Sequence, residues 1–399
     1  MLPVKAPGRA NDSITQPAAQ GTLAPQRLLF IDNLRWTMIV LVISIHAADT
    51  YSPLGNWYFV NRTPLSVPVL LTFAAWQMFL QSFFMGLLFF IAGFFVPPSF
   101  DRKGPRKFLR DRAFRLGLPV LFYMFVLGPV TEYFVAHSWS APHSSFAREW
   151  WRHIIDFEFL SENGPLWFCL ALLIFSAVYV MVRAGHSNTK QTRSSAPPGT
   201  EKLILFCLAL AALTFLVRLI MPSGRSFLNM QLGDFPQYVL LFAAGIYAAR
   251  RGWLLKLPFR AGMRWLALAL TVGVAAWLAI LLAGALHGNT KAYSGGWYWQ
   301  SAAINTWEAF TGVGLCFGLL VLYREKFNFQ GRLARFLSEN AFSVYVFHPP
   351  LVIFFARILY GASWHPLAKF VVLTCASTAA TFALSAWVFR RVPLLRRIL

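Results

Sequence analysis

Long apolar runs, separated by short polar connections, recur along almost the whole chain. A run of about eighteen apolar residues or more is long enough to cross a hydrocarbon core of ~30 Å as a helix. We therefore predict an all-α polytopic membrane protein with about ten transmembrane helices. The predicted spans are residues 34–51, 72–97, 113–135, 165–183, 203–222, 236–250, 265–286, 301–323, 341–360 and 368–389.

Composition supports the membrane class. Hydrophobic residues make up 57% of the 399 residues and charged residues only 13%, with a mean hydropathy of +0.54. A soluble domain of ordinary composition is far less apolar. We therefore expect the lipid bilayer to surround the chain.

The net charge of +21 would suggest nucleic-acid binding in a soluble protein. With ten crossings, however, the N-terminus and the even-numbered connections share one side, which carries all but eight of the 36 Lys and Arg residues. The exceptions are Arg62, Arg148, Arg152, Arg218, Arg225, Lys291, Arg357 and Lys369. The positive-inside rule then predicts that both termini are cytoplasmic, and it explains the charge without a nucleic-acid partner.

The connections contain no separate soluble domain. Residues 1–26 are rich in Pro, Ala, Gln and Gly and are predicted to be a disordered cytoplasmic tail, while residues 27–399 form a single transmembrane domain. Residues 185–201 form a flexible cytoplasmic loop. Residues 137–165 are rich in Trp, His and Phe and are expected to lie on the outer membrane surface, where they help to roof a cavity.

The four cysteines fall inside apolar spans and show no CxxC spacing. We interpret Cys169, Cys207, Cys316 and Cys375 as buried thiols and expect neither a disulfide nor a metal site.

The first span carries a histidine where polar groups are costly. Arg35 and His46 are eleven residues apart, so they share a helix face and are separated by ~16 Å, the distance from the membrane boundary to about mid-membrane. Asp49 lies one turn beyond His46 and could orient its ring. The alternative is a histidine that only packs the bundle through a hydrogen bond. We favour a catalytic pair because ionisable groups inside membranes are usually functional.

A second cluster of charges precedes the third span. Arg112 and Arg115 have i, i+3 spacing and form an RxxR pair at the membrane edge, which suits the phosphates of a nucleotide-bearing ligand. The alternative is a basic turn that only sets topology, and this is our interpretation of Arg102, Lys103, Arg106 and Lys107.

Three further residues are candidates for an acceptor site or cavity. Glu132 lies near the outer end of the third span and could bind a hydroxyl substrate or pair with Arg148 or Arg152. Trp167 begins the fourth span and could instead be an interfacial aromatic residue. His348 precedes two prolines inside a span, which leaves backbone carbonyls unpaired, as is tolerated where they are buried in protein or line a cavity.

Together these segments resemble integral-membrane acyltransferase family 3, particularly its glucan succinyltransferase-like branch. The resemblance covers nearly all of the chain after residue 27. The segments on which the resemblance rests are, in order, IDNLRWTMIVLVISIH, FFMGLLFFIAGFFVPPS, FLRDRAFRLGLP, GPLWF and FSVYVFHPP. Two departures are Ala92-Gly93, where many members have Ser-Gly, and the absence of a Glu several residues after the Trp of GPLWF.

The resemblance implies transfer of an acyl group, acetyl or succinyl, from cytoplasmic acyl-CoA to a hydroxyl of a carbohydrate or glucan at the outer face. It implies that His46 is the essential histidine, that Arg35, Arg112 and Arg115 bind the donor, and that the enzyme is a multi-pass protein of the bacterial inner membrane. We expect no bound cofactor, because acyl-CoA is a co-substrate.

Two alternatives remain open. The acyl group could pass through a covalent acyl-imidazole on His46 instead of moving directly while His46 acts as general base. A proton-coupled secondary transporter would also use an intramembrane histidine, although the sequence shows no paired interrupted helices in corresponding halves.

Overall fold

The computed structural model describes residues 27–55, 57–61, 63–136, 145–184, 195–285 and 290–396. The predicted tail at residues 1–26, and parts of the predicted loops at 137–144 and 185–194, lie outside these described residues. The described part of the chain consists of helices, turns and one isolated bridge between Phe227 and Met230. The predicted all-α class is confirmed.

Ten apolar helical segments form the bundle. They are α1 (Leu29–Tyr51), α2 (Val67–Lys103), α3 (Pro105–Tyr133), α4 (Trp167–Ala184), α5 (Thr200–Ile220), α6 (Phe235–Arg251), α7 (Phe259–Gly284), α8 (Trp299–Lys326), α9 (Arg332–Ile358) and α10 (Pro366–Trp387). Among the described residues, nine of these segments are long and apolar enough to cross a membrane, and α6, with 17 residues, is slightly shorter.

Two helices extend well beyond their predicted ends. The prediction ended the second span at residue 97 and placed a turn there, but α2 continues through Pro97 and Pro98 to Lys103. Likewise α9 begins at Arg332, nine residues before the predicted start. The extra turns carry basic residues, so hydropathy alone assigns them to loops although their backbone is helical.

The third helix is not a regular α-helix. Its turns at Ala113–Gly117 and Tyr123–Leu127 are π-helical, and so is the segment Thr131–Ala136, which begins in α3 and continues past its end. Pro119 and Pro129 each follow such a turn by two residues and have no backbone N–H to donate. Wider turns of this kind occur frequently at functional sites.

Close backbone contact places α2 at the centre of the bundle. Gly93 of α2 lies against the carbonyl of Phe242 on α6, where a Cβ would come within 2.2 Å of the oxygen. Gly245 of α6 lies similarly against the Phe90 carbonyl, at 2.1 Å. Such contacts are possible only for glycine, and small residues are how membrane helices pack closely.

Cross-helix hydrogen bonds bring several basic helix ends to one end of the bundle, here called the basic face. Asn33 Nδ2 of α1 donates to the carbonyls of Phe327 and Phe329 at 2.7 and 2.9 Å, just after α8 ends. Arg250 at the end of α6 pairs with Asp101 of α2 at 2.5 Å. The other end of the bundle, where α1 ends at Tyr51, is the opposite face.

Cys375 differs from the sequence interpretation. Cys169, Cys207 and Cys316 are buried as expected, whereas Cys375 on α10 is exposed on the bundle surface. An apolar span does not by itself tell which of its residues face lipid and which face protein.

Candidate functional site

His46 lies in the half of α1 nearest the opposite face, five residues before the helix ends and therefore about 8 Å from that end. Its side chain is 18% exposed. Nδ1 of His46 donates to Oδ2 of Asp49 at 3.3 Å, across one helical turn. This bond assigns the proton of the neutral ring to Nδ1 and leaves Nε2 as the nitrogen that can accept a proton.

Asp49 is itself held on its other oxygen. Nε2 of Gln77, a buried residue of α2, donates to Oδ1 of Asp49 at 2.6 Å. Gly55 passes so close that a Cβ there would lie 2.0 Å from the same oxygen. The carboxylate therefore has a fixed position from which to orient the imidazole, and the predicted pairing of His46 with Asp49 is present in the structure.

His348 is brought next to His46 from α9, and it is fully buried. Pro349 has no N–H, so the carbonyl of Tyr345, four residues earlier, cannot receive its usual helical hydrogen bond. Nδ1 of His348 donates to that carbonyl instead, at 2.8 Å. Nε2 of His348 is thereby left as an acceptor, and it has no hydrogen-bond partner within the described part of the chain.

Three aromatic rings form the centre of the site. The indole of Trp57 stacks on His46 with a centroid separation of 3.7 Å and an interplanar angle of 15°. The centroids of His46 and His348 are 5.4 Å apart with nearly parallel planes, and those of Trp57 and His348 are 6.5 Å apart. The three ring centroids therefore form a triangle with a nearly right angle at His46. His348 lies beside the stack, while Trp57 covers one face of the His46 ring.

Trp57 belongs to the connection between α1 and α2 and continues into a tyrosine pair. The ring of Tyr58 meets Trp57 edge to face at 5.0 Å. Its hydroxyl lies 3.3 Å from the hydroxyl of Tyr123 on α3, within hydrogen-bond distance. This contact links the connection over His46 to the π-helical third span.

An acidic group lies near this tyrosine pair. Burial, together with the negative charges of Glu132 and Glu158, raises the pKa of Glu162 from 4.5 to about 7. Glu132 and Glu162 are both close enough to interact electrostatically with Tyr58. Arg152 contacts Glu149 at 2.7 Å, and the pairing of Glu132 with Arg148 or Arg152 stays a prediction.

Trp167 packs into the bundle rather than against the two histidines. Its ring centroid lies 5.5 Å from that of Tyr238 and 6.3 Å from that of Phe89. The next residue, Phe168, contacts the ring of Tyr345, which precedes His348 by one turn. The predicted role of Trp167 in an acceptor site therefore stays a prediction.

The three predicted donor-binding arginines gather at the basic face. Arg35, Arg112 and Arg115 are close enough for their charges to interact. Arg112 ends a regular helical turn with its guanidinium over the ring of Phe108, whereas Arg115 lies in the first π-helical turn of α3. Asp32, one helical turn before Arg35, is 3.9 Å from that guanidinium and 2.5 Å from the guanidinium of Arg27.

An open cleft adjoins the arginine cluster. It is lined by Arg110, Asp111, Phe114 and Arg115. Asp111 is paired with Lys103 at 2.6 Å. An anion entering this cleft would therefore contact the guanidiniums, while the negative charge of the neighbouring Asp111 is already neutralised by Lys103.

A second buried polar cluster was not singled out from the sequence, which placed Arg218 near the outer end of the fifth predicted span and gave it no function. The structure buries Arg218 inside the bundle, where it pairs with Asp234 at 2.7 Å and with Glu308 at 2.8 Å. Gln81 donates to the other oxygen of Asp234 at 3.0 Å. This cluster joins α5, α8 and α2 to the N-cap residue of α6, and the small cavity beside it holds little more than a water molecule.

Trp57 and Gln77 were also not identified as site residues from the sequence. Gln77 could have been identified from the sequence, because a polar side chain in an apolar span generally faces the protein interior. Trp57 could not have been identified in this way, since tryptophans are common near membrane interfaces.

The fold and the site define a polytopic membrane protein with an oriented histidine in its interior and a cluster of arginines at one face. A family model described as an acyltransferase domain matches residues 28–387. The chain belongs to this family, which confirms the resemblance to acyltransferase family 3. It is a multi-pass membrane O-acyltransferase, and this finding favours the enzyme over the transporter alternative.

Curated relatives are consistent with that membership. Glucans biosynthesis protein C of Shigella dysenteriae serotype 1 is 24% identical over 354 residues, covering 84% of each protein. Proteins of the same name from Salmonella paratyphi B and Salmonella heidelberg match with the same identity and coverage. No solved structure matches the chain.

Proposed function

We propose that the protein transfers an acyl group from cytoplasmic acyl-CoA to a hydroxyl of a carbohydrate at the outer face of the bacterial inner membrane. The observation that carries this proposal is the hydrogen-bonded pair of His46 and Asp49, inside a bundle whose basic face holds the three arginines. The name of the relatives, glucans biosynthesis protein C, favours a glucan as the acceptor.

The donor would bind at the basic face. Guanidiniums bind phosphate oxygens through paired hydrogen bonds, so Arg112 and Arg115 suit the nucleotide phosphates of CoA. Arg35 on α1 lies eleven residues, or ~16 Å, before His46. An extended pantetheine arm could span that distance along α1 and bring the thioester to the imidazole.

His46 would act as the general base. An alcohol is a weak nucleophile at neutral pH, and a positioned imidazole can take its proton as the oxygen attacks the thioester carbonyl. Nε2 of His46 is the available nitrogen because Nδ1 donates to Asp49. As the C–S bond breaks, the same nitrogen returns the proton to the departing thiolate, so the reaction needs no net proton.

The acceptor would enter from the opposite face, where the end of α1 is only five residues beyond His46. His348 could accept a hydrogen bond from an incoming hydroxyl through its unpartnered Nε2. Glu132 and Trp167 stay candidates for contacts farther from the reaction centre.

A covalent acyl-imidazole is the alternative route. Nε2 of His46 would attack the thioester, CoA would leave, and the acceptor hydroxyl would then take the acyl group. Rapid mixing of the enzyme with radiolabelled acyl-CoA in the absence of acceptor separates the routes. Label retained on the wild type and absent from His46→Ala would favour the covalent route, and a ternary-complex kinetic pattern without retained label would favour the general base.

Thermal unfolding in nanodiscs tests the donor site. Acetyl-CoA, succinyl-CoA and CoA should each raise the melting temperature of the wild type, because a ligand that binds only the folded state stabilises it. The double variant Arg112→Ala/Arg115→Ala should lose this shift. The matched control Arg106→Ala/Lys107→Ala removes two basic residues assigned to topology and should keep it. Absence of a shift with every CoA species in folded wild type would contradict the proposed donor.

A further inference from the structure

The cover that Trp57 places on His46 has a chemical role, which we infer to be the exclusion of water from the acyl-transfer reaction. We propose that Trp57 determines whether the acyl group goes to the acceptor hydroxyl or is lost to hydrolysis. This inference rests on the proposed function at His46 and names the residue that selects between the two nucleophiles.

The competing reaction is unavoidable in an open site. A water oxygen can attack the thioester carbonyl, His46 can take the proton, and the C–S bond then breaks to give a carboxylic acid and the thiol of CoA. Water differs from a sugar hydroxyl mainly in size, so a general base does not discriminate between them. An enzyme of this type therefore has to keep water out until its acceptor is bound.

The geometry of Trp57 fits this requirement. A centroid separation of 3.7 Å between indole and imidazole is van der Waals contact, so no water molecule fits between the rings. The indole is also nearly parallel to His348, with an interplanar angle of 9°. The apolar indole plane of Trp57 thus covers one side of the site that contains both imidazoles.

The polar atoms around the cover are shielded from solvent. Nε1 of Trp57 and Nε2 of His348 have almost no accessible surface and no hydrogen-bond partner among the described residues. A buried polar atom left without a partner costs free energy. These two nitrogens, one a donor and one an acceptor, therefore favour a ligand that supplies hydrogen bonds, while the closed arrangement keeps bulk water away.

Contacts on both sides hold Trp57 in place. The backbone N–H of Asn61 donates to the carbonyl of Thr50 at 2.7 Å, which ties the connection back to the end of α1. Tyr58 contacts Tyr123 through its hydroxyl. Gly55 packs on Asp49, the residue that orients His46. The cover is thus tied to the same structure that positions the base.

The test measures two products in one reaction. Purified protein in nanodiscs is given acetyl-CoA or succinyl-CoA, with and without a β-glucan oligosaccharide, and both CoA thiol release and acceptor acylation are followed. Trp57→Ala should raise the ratio of hydrolysis to transfer about tenfold or more, the effect of a ~1.4 kcal/mol change in relative barrier. Trp57→Phe keeps an aromatic cover and should remain near the wild-type ratio.

Two controls make the result specific. Trp297→Ala removes a tryptophan that is 78% exposed and should leave the ratio unchanged. If Trp57→Ala does not fold, Trp57→Leu keeps apolar bulk with less ring overlap and should give an intermediate ratio. An unchanged ratio in folded Trp57→Ala or Trp57→Leu, or loss of thioester cleavage together with transfer, would overturn the inference.

Failure of the proposed function gives a different result. If the wild type neither transfers nor cleaves any acyl-CoA, the proposed donor and reaction are wrong. If the wild type transfers normally and Trp57→Ala and Trp57→Leu keep its ratio, only the role of Trp57 is wrong.

Discussion

The side-chain amide of Gln77 donates a 2.6 Å hydrogen bond to the carboxylate of Asp49, whose other oxygen receives the Nδ1–H of His46. The catalytic candidate is therefore a chain of three residues on two helices. Gln81, one turn along α2 from Gln77, makes the corresponding bond to Asp234 at 3.0 Å. Glutamines of the central helix α2 thus donate hydrogen bonds to a carboxylate in each of the two buried polar clusters.

Gln77 is a positioning residue, and its removal should slow catalysis without loss of the fold. Gln77→Leu should lower kcat about tenfold or more, because Asp49 would no longer be fixed and the imidazole would sample unproductive orientations. Gln77→Glu places a second carboxylate beside Asp49 and should shift the acidic limb of the pH–rate profile to higher pH. A wild-type pH–rate profile in Gln77→Glu would show that the contact with Asp49 has no part in catalysis.

Pro349 should be required for the orientation of His348. Pro349→Ala supplies a backbone N–H that can donate to the Tyr345 carbonyl and displace His348 Nδ1 from it. We expect transfer activity to fall about tenfold while the melting temperature stays equal or rises. Pro350→Ala is the matched control, because its N–H would reach the carbonyl of Val346 instead. Equal activity of the two variants would contradict a role for the His348 tautomer.

Arg218 should stabilise the fold. Arg218→Met leaves Asp234 and Glu308 buried without their cation, and breaking a buried ion pair on one side typically costs about 3–5 kcal/mol. Thermal unfolding in detergent should show a large loss of stability. Arg225→Met replaces an exposed arginine near the same end of the bundle and should be nearly neutral. A similar small change in both variants would mean that the ion pairs of Arg218 contribute little.

Glu162 should make stability depend on pH. Its pKa is raised to about 7 in the folded protein by burial and by Glu132 and Glu158, so the folded state retains a proton that an unfolded chain releases near pH 4.5. The contribution of protonated Glu162 to the free energy of unfolding is therefore fully present below the lower pKa, and it is lost as the pH rises through about 7.

The glutamine variant isolates this contribution. Glu162→Gln stays neutral, so its melting temperature relative to the wild type should rise between about pH 5 and pH 7 and then level off. A difference that is constant across this range would contradict the raised pKa.

Sequence reasoning predicted most of the helical bundle, because helix length and hydropathy are local properties. It ended α2 too early and began α9 too late, since Arg102 and Arg332 look like loop residues although their backbone is helical. The π-helical turns of α3 were also not predicted, because they depend on where the prolines remove hydrogen-bond donors.

The site was predictable only where its contacts are local in sequence. His46 and Asp49 are three residues apart, so helix geometry alone predicts their pairing. Gln77 and Trp57 reach the site through the packing of α2 and the path of a connection. The ion pairs of Arg218 were not predicted, because its partner Glu308 is ninety residues away and no local pattern joins them.

His46 is proposed to be the base of an acyl transfer from CoA. The most direct measurement is the rate of acyl transfer from succinyl-CoA or acetyl-CoA to a glucan oligosaccharide by wild type and His46→Ala in nanodiscs, with CoA-induced thermal stabilisation measured on the same samples. A general base contributes typically about 10²–10⁴-fold, so His46→Ala should lose at least about a hundredfold in rate while still being stabilised by CoA. A His46→Ala variant that transfers the acyl group at the wild-type rate would show that His46 is not the base.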